Sequence, residues 1–147
     1  MAGNLPKLFF MQTAKTLKKE ERLHNYRLIQ KLFAEGNSFF EYPFKVIFLK
    51  LPPDIKTSFS PSVQCLFTVS KRYFKKAVDR NKIKRLMREA YRKNKSPLFT
   101  ELSQNTEMIA FALVFNGKQM PDYANLEVKI INILKRLIVA LNNMTVL

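Results

Sequence analysis

Between two runs of strand-forming residues, Val63–Ser70 (VQCLFTVS) and Glu107–Asn116 (EMIAFALVFN), lies a segment of a different kind, Lys71–Lys95 (KRYFKKAVDRNKIKRLMREAYRKNK). It carries 12 Lys and Arg against two acids, Asp79 and Glu89, a surplus of 10 in a chain whose net charge is +15. On a helix of about 100° per residue, positions 80–93 separate into two faces. Ile83, Leu86, Met87, Ala90 and Tyr91 share one side, and Asn81, Lys84, Arg85, Arg88 and Arg92 share the other. A helix with one apolar stripe must bury it against another layer, and the flanking strands supply that layer. The near-continuous apolar character of 107–116 predicts an interior strand covered on both faces.

The remaining elements follow from periodicity and punctuation. NYRLIQKLFAE (25–35) places Leu28, Ile29, Leu32 and Phe33 at helical spacing, with Asn25 as N-cap and Gly36 as stop. SFFEYPFKVIFLKL (38–51) reads as strand, with Pro43 the place where it would break. If that strand is regular, Phe40, Tyr42, Phe44, Val46 and Phe48 share one side, with Phe39, Lys45, Ile47 and Leu49 on the other. PPDIKTSFSPS (52–62) is a loop, and Tyr123–Asn142 is an amphipathic closing helix. Residues 1–16 read as an N-terminal arm and 17–147 as one α+β domain. At 147 residues such a chain buries roughly 70% of its unfolded surface and needs no disulfide or metal to hold a core.

Composition removes most chemistry. One cysteine, Cys65, excludes an internal disulfide and a Cys-cluster zinc site, and it fits a reducing cytoplasm. In a strand it reads as a small buried hydrophobe. The single histidine, His24, precedes a helix and reads as a solvated or capping group; no multi-histidine metal site can be built. Three glycines are too few for a phosphate-cradling loop. No apolar run approaches the roughly 20 residues of a membrane span. The charge calls for a polyanion, and the concentrated Arg face suits phosphate oxygens better than an ordinary solvated face of mixed sign would.

FTVSKRYFKKAVDRNKIKRLMREAYR (67–92) resembles the signature of the bacterial ribonuclease P protein component. The matching residues are Val69-Ser70-Lys71, Ala77-Val78, Arg80-Asn81-Lys82, Lys84-Arg85 and Arg88. LKKEERLHNYRLIQKLFAEGNSF (17–39) is similar to the family's opening. The likeness spans roughly residues 17–141. It departs at Lys82, where the family has Arg, and at Phe74-Lys75, where a Gly is usual. It also departs at Ile29 and Ile47, where the family places aromatics in a cleft for the 5′ leader, so that of these cleft positions only Phe33 keeps a ring. The leader contact is then weaker here or uses other aromatics, such as Phe44, Phe48 or Tyr42.

The resemblance implies an α-β sandwich with a four-stranded mixed sheet, in the order α-β-β-β-α-β-α, and a left-handed βαβ crossover. It implies RNA contacts at Lys71, Arg72, Arg80, Asn81, Lys82, Lys84, Arg85, Arg88 and Arg92, and a leader cleft at Ile29, Phe33 and Ile47. It implies a catalytic RNA and precursor tRNA as partners, with Mg²⁺ required by the RNA–protein holoenzyme and no cofactor held by the protein alone. No obligate protein partner is evident. The residues themselves offer no catalytic site: the acids are scattered, and Glu20-Glu21 is their only adjacent pair. Phosphodiester hydrolysis on a protein normally needs clustered carboxylates with metal, or paired histidines. Two other functions stay open on the residues alone. One is a basic RNA-binding protein of the translation machinery with no processing activity, and the other, disfavoured by the missing carboxylates, is a self-sufficient nuclease.

Overall fold

The computed structural model describes residues 17–51, 63–104 and 108–145, the last two residues of each of its two C-terminal helices by backbone alone. The expected arm, 1–16, and the loop, 52–62, lie outside the described residues. Helix α1 (Tyr26–Glu35) begins where expected, because Asn25 Oδ1 accepts the Arg27 and Leu28 N–H groups at 3.0 and 3.3 Å. It ends at Gly36, whose N–H donates to the Leu32 carbonyl at 2.9 Å. Glycine is needed there for space, since its φ of −69° suits any residue. A Cβ would stand 2.4 Å from Leu32 O and 2.9 Å from Ile47 Cγ2. Gly36→Ala is therefore expected to destabilise by about 1–3 kcal/mol, as overpacking does. A denaturation midpoint equal to wild type would show that this junction yields freely.

Four strands, β1 (Asn37–Glu41), β2 (Phe44–Leu51), β3 (Val63–Val69) and β4 (Met108–Phe115), form one sheet in the order β1-β2-β4-β3. β1/β2 and β2/β4 are antiparallel, and β3/β4 are parallel. The connection between the parallel pair carries α2 (Ala77–Asn94) and α3 (Ser96–Gln104), and α4 (Tyr123–Thr145) closes the chain. The short α3 is one helix more than the expected order contains. Pro97 sits in its first turn, where a missing N–H breaks no helical bond, and the same proline disfavours continuation of α2.

β4 is buried on both faces, as its composition predicts. Ile109, Phe111, Leu113 and Phe115 point to the layer of α2 and α4, while Ala110 and Ala112 lie under α1 with Leu28 and Leu32. The alanines leave room for α1 to sit close. On the other side Tyr91 packs edge-on between Phe67 and Phe111, with ring centroids 5.5 and 5.7 Å away. Cys65 is buried, and burial pushes its thiol pKa well up, so it is a packing residue.

The face assignment for residues 38–51 is corrected. The segment is a hairpin turned at Tyr42-Pro43, a cis peptide, with Glu41 opposite Phe44 and Phe39 opposite Val46. Reversal of the chain puts Phe39 with Phe44, Val46 and Phe48, its ring centroid 6.1 Å from that of Phe48. Phe40, opposite Lys45, moves to the sheet face of Ile47 and Leu49, the face that α1 packs on. Tyr42 belongs to the turn and is exposed.

Candidate RNA interface

Helix α2 sorts as its periodicity requires. Ile83, Met87, Ala90 and Tyr91 are buried and Leu86 is partly so, while Asn81, Lys82 and Arg85 are exposed and Lys84, Arg88 and Arg92 lie half-buried along the outer face. Lys71 and Arg72 stand exposed on the approach to the helix. Arg80 has a different task. Its Nη1 donates to the Phe74 and Lys75 carbonyls, both at 2.8 Å, which fastens the chain entering α2. Arg92 is bound to Glu89 through Nε and Nη2 at 3.2 and 2.6 Å.

A residue outside the expected set joins this face. Arg22 follows a 3-10 turn (Lys19–Glu21) held rigidly to the core. The Leu23 N–H donates to the Cys65 carbonyl at 3.0 Å, and both Glu21 carboxylate oxygens accept from the buried Lys95 ammonium at 2.7 and 2.8 Å. So anchored, Arg22 lines a hollow of about 380 Å³ with Leu17, Arg85, Arg88, Arg92 and Glu89, whose carboxylate is taken up by Arg92 and Lys93. Burial first, then the Arg22 and Arg85 guanidiniums, hold Arg88 below the usual arginine range. The side chains of Arg22, Arg85 and Arg88 have no hydrogen-bond or ion-pair partner among the described residues. Guanidiniums converging in this way repel one another, and a phosphate group between them converts that repulsion into charge-assisted hydrogen bonds.

The second surface lies between α1 and the sheet. Phe33 is 49% exposed, so it is no core residue. Ile29 is half-buried, and Ile47, at 5%, is closed beneath α1 and offers nothing to a ligand. Phe44 and Phe48, considered as replacement rings, are buried and drop out. The ring that the hairpin brings to this face is Phe40, 67% exposed, with Lys45 Nζ 5.7 Å from its centroid. A cation beside an open aromatic face is what a base and its phosphate require. His24 is exposed, with Nε2 3.3 Å from the Lys19 carbonyl. Among the described residues no three of His, Cys, Asp and Glu gather closely enough to hold a metal ion. None of the helices among them is long and apolar enough to cross a membrane.

Sequence reasoning overlooked one of these residues and placed another on the wrong side of its strand. Nothing marks Arg22 within a mixed charge run; only its bridge to β3 reveals it. Phe40 was legible in principle, because a two-residue turn at Tyr42-Pro43 inverts its side.

A mixed four-stranded sheet with a cationic helix on one face, and with Phe33 and Phe40 exposed elsewhere on the surface, defines an α+β domain suited to RNA. The Ribonuclease P family profile matches residues 17–138. The chain is 40% identical over 115 residues to the ribonuclease P protein component of Chlorobium phaeobacteroides, covering 74% of this chain and 78% of the relative. It is 35% identical over 111 residues to that of Porphyromonas gingivalis, covering 76% and 78%. The solved ribonuclease P protein of Thermotoga maritima superposes with a TM-score of 0.58 at 27% identity, over 79% of this chain and 96% of that one. The Staphylococcus aureus protein, at 19% identity and a TM-score of 0.60, shares the fold. The chain belongs to the ribonuclease P protein component family.

Proposed function

We propose that this chain is the protein subunit of a ribonuclease P holoenzyme, the endoribonuclease that removes the 5′ leader of precursor tRNA. In this reading the outer face of α2, with Arg22, grips phosphates of the catalytic RNA. Lys71, Arg72, Asn81, Lys82, Lys84, Arg85, Arg88 and Arg92 make up that surface, and Arg80 supports it from behind. The leader lies along Phe33, Ile29 and Phe40. The protein contributes binding and orientation, and Mg²⁺ held by RNA contributes the chemistry. Cytoplasmic residence fits these partners. The observation that carries the reading is the convergence of Arg22, Arg85 and Arg88 on one hollow.

Reconstitution tests it. Addition of the protein to a catalytic RNA should restore precursor-tRNA cleavage at low Mg²⁺, and cleavage by RNA-free protein would overturn the division of labour. Glu20→Ala and His24→Ala should leave the single-turnover rate of the reconstituted complex nearly unchanged, since both side chains are exposed and neither belongs to a metal-holding cluster among the described residues. A group acting in acid–base or metal catalysis would cost about 10²-fold or more.

Arg88→Ala provides the quantitative test of the RNA face. The affinity for the catalytic RNA falls with salt in proportion to the phosphates neutralised, with a slope of about 0.7–0.9 per contact. Loss of Arg88 should weaken binding and lower the measured slope by about that amount, with the fold intact. An unaltered slope in a folded variant removes Arg88 from the phosphate contacts.

A further inference from the structure

A third surface lies at the end of the sheet where β4 leaves and α4 begins, beside the turn of the β1–β2 hairpin and sharing no residue with the arginine hollow. It is a cleft of about 510 Å³, a size that accommodates a small planar ligand. Its apolar lining comes from Pro43, Phe115, Met120 and Leu126. The floor is fixed: the Asn116 N–H donates to the Pro43 carbonyl at 2.8 Å, and Gly117 permits a close approach that a Cβ, 2.6 Å from Phe115 Cζ, would forbid. Tyr42, 71% exposed, forms one wall. The side-chain amides of Gln119 and Asn125 line the cleft, and neither has a hydrogen-bond partner among the described residues. Lys118 supplies positive charge, Lys129 is paired with Glu41 at 3.9 Å, and the one acid of the lining, Asp122, accepts the Asn125 N–H at 3.4 Å.

These parts match the needs of one ligand class. A nucleobase wants an apolar slot and an aromatic face for its ring, amide groups for its hydrogen-bonding edge, and a cation for the phosphate on either side. The cationic character continues beyond the cleft. Lys118 Nζ lies 5.8 Å from the Tyr73 ring centroid, and the Arg72 guanidinium lies 5.3 Å from the same ring. From there the basic surface runs to the start of α2. We infer that this cleft is a binding site for a single unpaired RNA nucleotide, stacked on Tyr42, with its edge toward Gln119 and Asn125 and its phosphate on Lys118. The inference rests on the reading of the chain as an RNA-binding subunit. The nucleotide comes either from the catalytic RNA or from precursor tRNA, and the two sources are separable by experiment.

The test uses the full chain and measures affinity for the catalytic RNA, for precursor tRNA in the reconstituted complex, and for mature tRNA. Tyr42→Ala removes a stacking partner of about 1–3 kcal/mol, so affinity should fall about 5- to 150-fold, with no change in salt slope. Tyr42→Phe should restore it. Asn125→Ala, on an exposed helical position, gives a second variant whose folding is not at issue, and it should also bind more weakly. A loss confined to the catalytic RNA assigns the nucleotide to that RNA, and a loss for precursor tRNA assigns it to the substrate. Arg88→Ala serves beside them as the control. If Arg88→Ala weakens binding while folded Tyr42→Ala and Asn125→Ala match wild type for all three RNAs, the cleft is no nucleotide site and the RNA-binding reading survives. If Arg88→Ala is also without effect, that reading falls and the inference falls with it.

Discussion

Replacement of Glu21 by Ala is expected to destabilise the folded protein by about 3–5 kcal/mol, the cost of breaking a buried ion pair by removing one partner. Domains of this size are stable by only about 5–15 kcal/mol, so the variant should lose a large share of its folded population on mild heating. The physical reason is the position of Lys95, at 0% exposure, whose Nζ lies 2.7 and 2.8 Å from the two carboxylate oxygens. Burial holds the Lys95 ammonium below the usual lysine range, and the Glu21 carboxylate is the main group opposing that shift. Removal of the carboxylate leaves the ammonium inside without its counter-charge, and the Lys18 N–H loses an acceptor at 2.7 Å. The ring of Phe99, 5.1 Å from Nζ, compensates only in part.

The double variant Glu21→Leu, Lys95→Met separates this account from a simple packing effect. A buried pair replaced together by apolar groups of similar volume is often neutral or better. Stability close to wild type in the double variant, with a large loss in Glu21→Ala, locates the cost in the stranded charge. A loss below about 1 kcal/mol in Glu21→Ala, measured by denaturant titration, would show that water reaches Lys95. The consequence extends to function, because the same turn that carries Glu21 positions Arg22. Weakened RNA binding in the still-folded fraction of Glu21→Ala is therefore expected as well.

Two local patterns made much of the architecture legible in the sequence. The 3.6-residue repeat of Ile83, Met87, Ala90 and Tyr91 sets which side of α2 packs, and the unbroken apolar run Ile109–Phe115 sets β4 in the interior. Both are local patterns whose meaning does not depend on the rest of the chain. What escaped was relational. The side on which Phe40 falls depends on the parity of a two-residue turn, and one residue of register exchanges every face. Lys95 reads as one more solvated cation in a basic segment, since nothing nearby in sequence announces that Glu21, 74 residues earlier, will meet it. Arg80 sits in the basic motif yet its Nη1 spends its hydrogen bonds on two backbone carbonyls. Charge density marks the candidate RNA face, but only the packing tells which cations on it are engaged in holding the fold.

Phe33→Ala is expected to weaken precursor-tRNA binding by about 1–3 kcal/mol, roughly 5- to 150-fold, while leaving mature tRNA unaffected. Two accounts of this side chain compete, and its exposure separates them. A core phenylalanine truncated to Ala costs about 3–5 kcal/mol of stability. At 49% exposure Phe33 buries only about half its side chain, so the loss should fall well short of that range. The ring stands near the end of α1, one turn beyond the half-buried Ile29, while Ile47, closed beneath the helix, cannot replace it. A leader laid along this cleft therefore has two open rings to stack on, with Lys45 beside the second. Phe40→Ala should show the same selectivity for the leader-bearing substrate. The two variants combined should lose more than either alone, because each removes a separate stacking surface. Paired binding curves for precursor and mature tRNA, with a thermal melt of each variant, decide the matter. Equal losses for both RNAs, tracking a fall in folded protein, would return Phe33 to the core and leave the cleft without a ligand.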